Sequence, residues 1–276
     1  LKETNERLAL GDTSWLPDLV GDKRLVVHLS IDGDLPRAFS RRLVAAAAAE
    51  HRVAFATGAT GLELSTMQTL QNLDARVWHV DLTRSPVAVE RYRSVADWVA
   101  GRRVSMTPAE MVVLVNDRLA DGAGDGTNAA RGRWYEEALC LLFSQVSWLE
   151  VEEHAYRNAS EEIDIVMSSR AAGHVAQLIG GPVVIATAKN EATPTGSDVV
   201  KYLKEQMANR KGRCKLGFLC SSSTISKDAV IEILRGSQGN DAVIVPIDRD
   251  VVEGLLSSPD DLDARFERLI LEAVDA

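Results

Sequence analysis

Val183-Val-Ile-Ala-Thr-Ala-Lys189 is an apolar stretch that ends in a lysine, with Asn190 directly after it. Upstream, Glu162-Ile-Asp-Ile-Val-Met167 carries an aspartate among Ile, Val and Met. Both read as strands, because they are short apolar runs of the strand type. A carboxylate such as Asp164 is costly to bury there unless it is paired or binds a metal. A lysine at the end of the next apolar strand can reach the same point.

Working outward, the second half opens with a helix expected over 134–149, with Tyr135, Ala138, Leu139, Leu142, Val146 and Leu149 on one face. Strands are expected at 151–154, 162–167, 183–188, 216–220 and 242–247. Helices are expected at 198–208, 227–234, 251–256 and 262–274. In the first half, strands at 25–30, 52–56 and 76–82 alternate with helices at 35–50 and 63–73. Further helices are expected at 87–99 and 108–119. Strands separated by helices of this length favour a parallel sheet with helical cover. Between the halves, Asp121-Gly-Ala-Gly-Asp-Gly-Thr-Asn128 has no apolar periodicity and reads as a linker. The expected organisation is a small parallel α/β domain over 1–120, a Gly-rich linker over 121–130 and a second α/β domain over 131–276. The length of 276 residues fits two domains of about 150 each, or one large α/β unit.

Glu136 on the first helix, Asp164 within its strand and Lys189 at the end of the next form an ordered polar set on apolar elements. An aspartate for a divalent cation beside a lysine suits phosphodiester hydrolysis. The cation polarises the phosphate and lowers the pKa of a bound water. The lysine stabilises developing charge. Each residue also fits a plain role: Asp164 as a bonded edge-strand acid, Lys189 as a solvated strand end, Glu136 and Glu137 as acids at a helix start.

This order, helix-carboxylate, strand-Asp, strand-x-Lys, resembles the restriction-endonuclease-like or PD-(D/E)XK superfamily, and within it the Mrr-like enzymes. Gly132-Arg-Trp-Tyr-Glu136 resembles the start of that group's first helix, and Glu162-Ile-Asp164 its metal-binding strand. Val184-Ile-Ala-Thr-Ala-Lys-Asn190 resembles the strand that usually ends in Glu-x-Lys. Leu216 to Ala229 resembles the later strand, loop and helix start. The likeness covers about residues 131–256. It implies a restriction-endonuclease-like α/β fold with a mixed central sheet, and Asp164, Lys189 and Glu136 as catalytic residues. It further implies Mg²⁺ or Mn²⁺ on Asp164 and Glu136, and a nucleic-acid substrate, with DNA ahead of RNA and both left open. One departure stands out. The family's second acidic ligand belongs two residues before the lysine, where this chain has Thr187. Either the metal is held by Asp164 and Glu136, with Glu191 a poorer substitute, or the domain has lost cleavage and kept nucleic-acid binding.

From Lys189 to Lys227 eight basic residues face three acidic ones, a net of +5 inside a chain of net −9. Lys201, Lys204, Arg210, Lys211 and Arg213 are the expected contacts to a phosphate backbone. A solvated helix and turn is the alternative. The Ser221-Ser-Ser-Thr224 run fits either hydroxyl donors to phosphate or a simple loop.

In the first half, Thr57-Gly-Ala-Thr-Gly61 follows a strand and precedes a helix, and Asp81 ends the next strand. This resembles the dinucleotide fingerprint of short-chain dehydrogenase-like proteins, and Gly58, Gly61 and Asp81 are the candidate ligand residues. The first glycine of the full motif is replaced by Ala56, and no Gly-Lys-Ser/Thr is present, so it is not a P-loop. Tyr92 is followed four residues later by Ala96, not Lys. Three readings remain: a nucleotide-sensing domain, as in regulated prokaryotic antiviral defence effectors, a dimerisation domain, and a nucleotide-binding oxidoreductase.

Composition sets the bounds. There are 31 basic and 40 acidic residues, so bulk charge does not coat nucleic acid. Three cysteines are too few for a disulfide framework. The five histidines show no ligand spacing and read as packing or surface residues. The longest apolar run, Leu43 to Ala49, is far short of the roughly 20 residues of a membrane span. A cytoplasmic homodimer with no membrane partner is expected.

Overall fold

The computed structural model describes residues 8–10, 13–20, 23–30, 33, 43–44, 46–47, 52–81, 83, 88–157, 162–172, 176–177, 179–235 and 242–275. The chain is a mixed α/β protein with two sheets. It divides into two compact units, Leu1–Ser105 and Met106–Ala276. The division falls before the Gly-rich stretch and not within it.

The first unit carries a sheet of order β1-β2-β3-β4-β5-β6. Its strands are β1 (Leu8–Leu10), β2 (Thr13–Val20), β3 (Lys23–Ser30), β4 (Arg52–Thr57), β5 (Arg76–Asp81) and β6 (Ala88–Tyr92). Only β3, β4 and β5 run parallel. The β1–β2–β3 run and the β5–β6 pair are antiparallel, so the sheet is mixed and not purely parallel. β4 is buried from Val53 to Thr57, as suits a strand with parallel neighbours on both sides. Helices α1 (Leu64–Asn72) and α2 (Val95–Arg102) add Met67, Leu70, Trp98 and Val99 to the core.

The helix expected over 87–99 is instead β6 followed by α2. Ser94 decides the boundary: its hydroxyl accepts the Asp97 N–H at 3.1 Å and caps the helix there. Upstream, Arg91 lays its guanidinium over the Trp78 ring at 5.2 Å, which ties β6 to β5. The helix expected over 35–50 lies largely outside the described residues; Leu43, Val44, Ala46 and Ala47 within it are helical.

The second unit opens with α3 (Pro108–Ala123) and α4 (Asn128–Phe143). A capping box starts α3, with Glu110 N–H on the Thr107 hydroxyl at 3.2 Å and Thr107 N–H on the Glu110 carboxylate at 2.8 Å. Thr127 caps α4 by accepting the Ala130 N–H at 3.2 Å. The expected linker is therefore the short turn of a helix hairpin. Gly122 serves close packing there: a Cβ on it would meet Asn190 Nδ2 at 3.2 Å and the Arg131 carbonyl at 3.3 Å. The Thr127 cap also moves the helix start upstream of the expected Trp134, and the helix ends at Phe143 instead of 149.

After α4 come β7 (Leu149–Arg157), β8 (Glu162–Ser169), β9 (Val183–Lys189), α5 (Ser197–Ala208) and β10 (Cys214–Ser221). Then follow α6 (Lys227–Arg235), β11 (Val243–Ile247), α7 (Arg249–Ser257), a 3₁₀ turn (Pro259–Asp261) and α8 (Leu262–Asp275). The sheet order is β11-β10-β9-β8-β7. β7, β8 and β9 are antiparallel, while β9, β10 and β11 are parallel. The sheet is mixed.

Neighbouring residues in β10 serve opposite faces, because strand side chains alternate. Phe218 joins Phe143 of α4 and Phe266 of α8, with ring centroids 5.1, 5.7 and 5.8 Å apart. Leu219 joins Ile185, Val200, Leu203 and Met207 on the α5 side. Each such fully buried side chain contributes about 1.5–3 kcal/mol. Among the described residues no helix is long and apolar enough to cross a membrane.

Candidate functional site

The antiparallel pairing of β8 with β9 brings the start of β8 to the end of β9. The last paired residues there are Ile165 and Ala186. Beyond them the Asp164 Oδ2 accepts the Ala188 N–H at 2.7 Å, so a side-chain oxygen replaces a ladder carbonyl. Lys189 is the next residue. The Asp164 carboxyl lies within electrostatic reach of Glu136 on α4 and of Lys189. Burial pushes the Asp164 carboxyl up to about 6; the Ala188 N–H opposes this, the Glu136 charge adds to it and the Lys189 charge opposes it. The structure thus brings Glu136, Asp164 and Lys189 together, as two acids and one base at one end of the sheet.

Glu136 is not a helix-start acid. α4 begins at Asn128, so Glu136 lies beyond the first turn, where the helix dipole has faded. His154 of β7 meets it, with Nε2 at 2.8 Å from Oε2. The imidazole is 7% exposed and the carboxylate 19%. His154, which from the sequence alone reads as a packing or surface residue, is thus a partner of the Glu136 carboxylate. Nothing in its spacing reveals the contact, because the partner lies on another element. Glu137 faces elsewhere: it pairs with Arg118 Nε at 2.9 Å, both about 2% exposed, and joins α4 to α3. Of the two adjacent glutamates, one belongs to the site and one to the scaffold.

Thr187, two residues before Lys189, is 2% exposed and donates its hydroxyl to Gln206 Oε1 of α5 at 3.4 Å. Glu191 lies in an exposed loop past the strand end. Asn190 is a clamp: its Nδ2 donates to the Gly122 carbonyl at 2.9 Å and the Arg131 carbonyl at 2.7 Å. That fixes the end of β9 to the α3–α4 hairpin. The serine run is likewise structural. Ser222 Oγ donates to the Glu191 carbonyl and Ser223 Oγ to the Ala192 carbonyl, at 3.4 and 3.3 Å. Ser222 N–H donates to the Lys189 carbonyl at 2.9 Å.

The basic stripe does not converge on this site. Lys189 is in register with Ser221 at the end of β10, and Val183 with Cys214 at its start. Arg210, Lys211 and Arg213 precede that start, so they sit at the opposite end of the sheet, about 20 Å from Lys189 by strand rise. Lys204 pairs with Glu232 Oε1 at 3.1 Å. Lys201 is exposed on α5. Arg210, Lys211 and Arg213 thus lie beyond the far end of α5, while Lys201 and Lys204 lie along that helix between the two ends of the sheet. The cations at the site end, besides Lys189, include Arg131 and Arg249, which sequence reasoning missed. Arg249 follows the end of β11 by two residues, and that position beyond a parallel strand was the available signal.

In the first unit, Gly58 and Gly61 lie in the loop between β4 and α1, and the helix begins only at Leu64, after Gly61. The Ala59 N–H is taken by Thr57 Oγ1 at 3.0 Å. Asp81 Oδ1 accepts from the Thr83 N–H and hydroxyl at 2.9 and 2.6 Å. The glycines do not open the helix, as the dinucleotide fingerprint requires.

Among the described residues no three or more His, Cys, Asp or Glu side chains gather as a metal cage. Asp164 and Glu136 do fit a Mg²⁺-type cation, which takes one or two carboxylates and fills its other positions with water and substrate phosphate. The mutual repulsion of the two acids at a mostly buried point is relieved by such a charge. The chain matches no protein family, no curated protein and no solved structure.

Proposed function

We propose that the second unit is a divalent-cation-dependent nuclease acting on phosphodiester bonds of nucleic acid, with DNA as the first substrate to test. One observation carries the reading: the mostly buried Asp164 carboxylate, anchored on the Ala188 N–H at 2.7 Å, has Glu136 and Lys189 within electrostatic reach. Asp164 and Glu136 would hold Mg²⁺ or Mn²⁺, which when bound supplies Lewis-acid polarisation of the phosphate and acidifies water. Lys189 stabilises negative charge on the phosphate as it builds. His154 fixes the Glu136 carboxylate through the 2.8 Å contact. Asn190 holds the strand end that carries Lys189.

The test is cleavage of end-labelled duplex DNA by the full chain. The wild type is expected to cut with Mg²⁺ or Mn²⁺ and to stop with chelator, and Asp164→Ala to lose at least 100-fold. A wild type no faster than Asp164→Ala overturns the reading. A second reading is favoured by Thr187, which stands at the acidic ligand's place in the sequence but is uncharged, buried and turned to Gln206 of α5. In that case the unit binds nucleic acid without cutting it, and metal-dependent cleavage is absent while binding is retained.

A further inference from the structure

Beside Lys189 lies a cleft of about 510 Å³, at the carboxyl ends of β9, β10 and β11, lined by Asn190, Ser221 and Arg249 among others. Its size falls within the roughly 300–1,000 Å³ of small-molecule sites. Its position, outside the ends of parallel strands, is where open α/β sheets take ligands.

The walls differ in kind. Two arginines line it, and each is oriented through Nε: Arg131 donates to the Gly122 carbonyl and Arg249 to the Ser222 carbonyl, both at 3.0 Å. A guanidinium held by Nε still carries its Nη donors, whose fork fits a phosphate. Leu119, Ala123 and Val252 give an apolar wall. Glu191 and Glu253 also line the cleft, so its formal charge balances. That balance suits one phosphate and disfavours a di- or triphosphate.

An independent feature points to a ligand. Tyr135 lines the cleft, is only 3% exposed, and its hydroxyl has no hydrogen-bond partner among the described residues. The phenol lies within electrostatic reach of the buried Cys220 and of Asp248 and Arg249. A buried hydroxyl without a partner costs about 1–3 kcal/mol and is uncommon in native proteins. It is accounted for if Tyr135 turns its hydroxyl, closed off from solvent in this structure, toward a ligand that supplies the missing bond.

We propose that this cleft binds one nucleoside monophosphate unit, its phosphate on Arg131 and Arg249, its base along Leu119 and Val252, and a polar atom of it on the Tyr135 hydroxyl. Asn190 directly follows Lys189, and Tyr135 directly precedes Glu136. The cleft therefore receives the nucleotide next to the phosphate addressed by Lys189. That last assignment rests on the nuclease reading, whereas binding of a nucleoside monophosphate does not.

The test uses the full chain with chelator present, so that binding is read without cleavage. The probes are dAMP and a fluorescent 5′-phosphorylated trinucleotide, followed by calorimetry and anisotropy. Arg249→Gln is expected to weaken binding at least 10-fold. Tyr135→Phe is expected to weaken it about 5-fold with an unchanged or raised melting temperature, since no bond within the protein is lost. Tighter binding of the trinucleotide identifies a strand as the ligand, and equal binding identifies a free nucleotide; either supports the cleft. No binding of either probe, or affinity unchanged in both variants, overturns it. If both variants lose binding while the wild type cuts no DNA, the cleft stands and the nuclease reading falls.

Discussion

The two ends of the second unit's sheet are both charged, yet they differ in what holds the charges. At the Lys189 end, Asp164 is mostly buried, bonded to Ala188 N–H and coupled to Glu136 and Lys189. At the other end, Lys211 and Arg213 are exposed on the turn before β10. Exposed charges are screened within about 10 Å at ordinary salt and are held only by water. Charges that are buried and near one another act strongly and in fixed directions. Convergence, not the number of charges in a stretch of chain, separates a candidate site from a solvated surface.

The largest expected contrast is catalytic. Lys189→Ala is expected to lower DNA cleavage at least 100-fold, against less than threefold for Lys211→Ala. Equal losses in a matched cleavage assay would break the comparison.

Stability gives the next contrast. The Asp164 carboxyl sits at about 6 in the fold against an ordinary 3.8, so the native protein holds its proton longer. The stability this group contributes is full below about pH 4 and is lost as pH rises through about 6. Asp164→Asn keeps an acceptor for the Ala188 N–H and removes the buried charge. In metal-free buffer it is expected to stabilise the protein at pH 8 by roughly 1–3 kcal/mol, trimmed by partial exposure, and the gain should vanish at pH 4. Urea denaturation at both values checks this, and a destabilised variant at pH 8 contradicts it.

A smaller effect is expected from Asn190→Ala, which removes the two bonds that fix the end of β9 to the helix hairpin. A loss of about 1–2 kcal/mol is expected, with cleavage falling more than stability alone explains. The smallest lies at the far end. Lys211 has φ 54°, a left-handed conformation that glycine adopts without strain. Lys211→Gly is expected to gain about 0.5 kcal/mol and to leave cleavage unchanged.

How legible this was depends on the range of the interaction. The strands and helices of the second unit follow from local apolar patterning, so β8, β9, α5, β10 and α8 lie where the sequence places them, within a residue or two at each end. Glu136, Asp164 and Lys189 could be proposed as a set because each interrupts an apolar element. What could not be read was contact across elements. His154 on Glu136, Arg118 on Glu137 and Asn190 on Gly122 join residues of different elements that no periodicity links. The glycines of 121–128 misled because local sequence does not distinguish a flexible link from a close approach. In the first unit, the sequence showed the parallel strands but not the antiparallel additions. Their pairing is long-range, and Ser94 ended a helical pattern that propensity alone carried through.

Cation binding by the unmodified chain tests the central claim, that Glu136, Asp164 and Lys189 form one cation-dependent site, most directly. Calorimetric titration with Mn²⁺ is expected to give one site in the wild type. Asp164→Asn should abolish it, Glu136→Gln should weaken it at least 10-fold, and a variant with Arg210, Lys211 and Arg213 changed to Gln should leave it intact. A wild type that binds no Mn²⁺, or an Asp164→Asn protein that binds it equally well, would contradict the account.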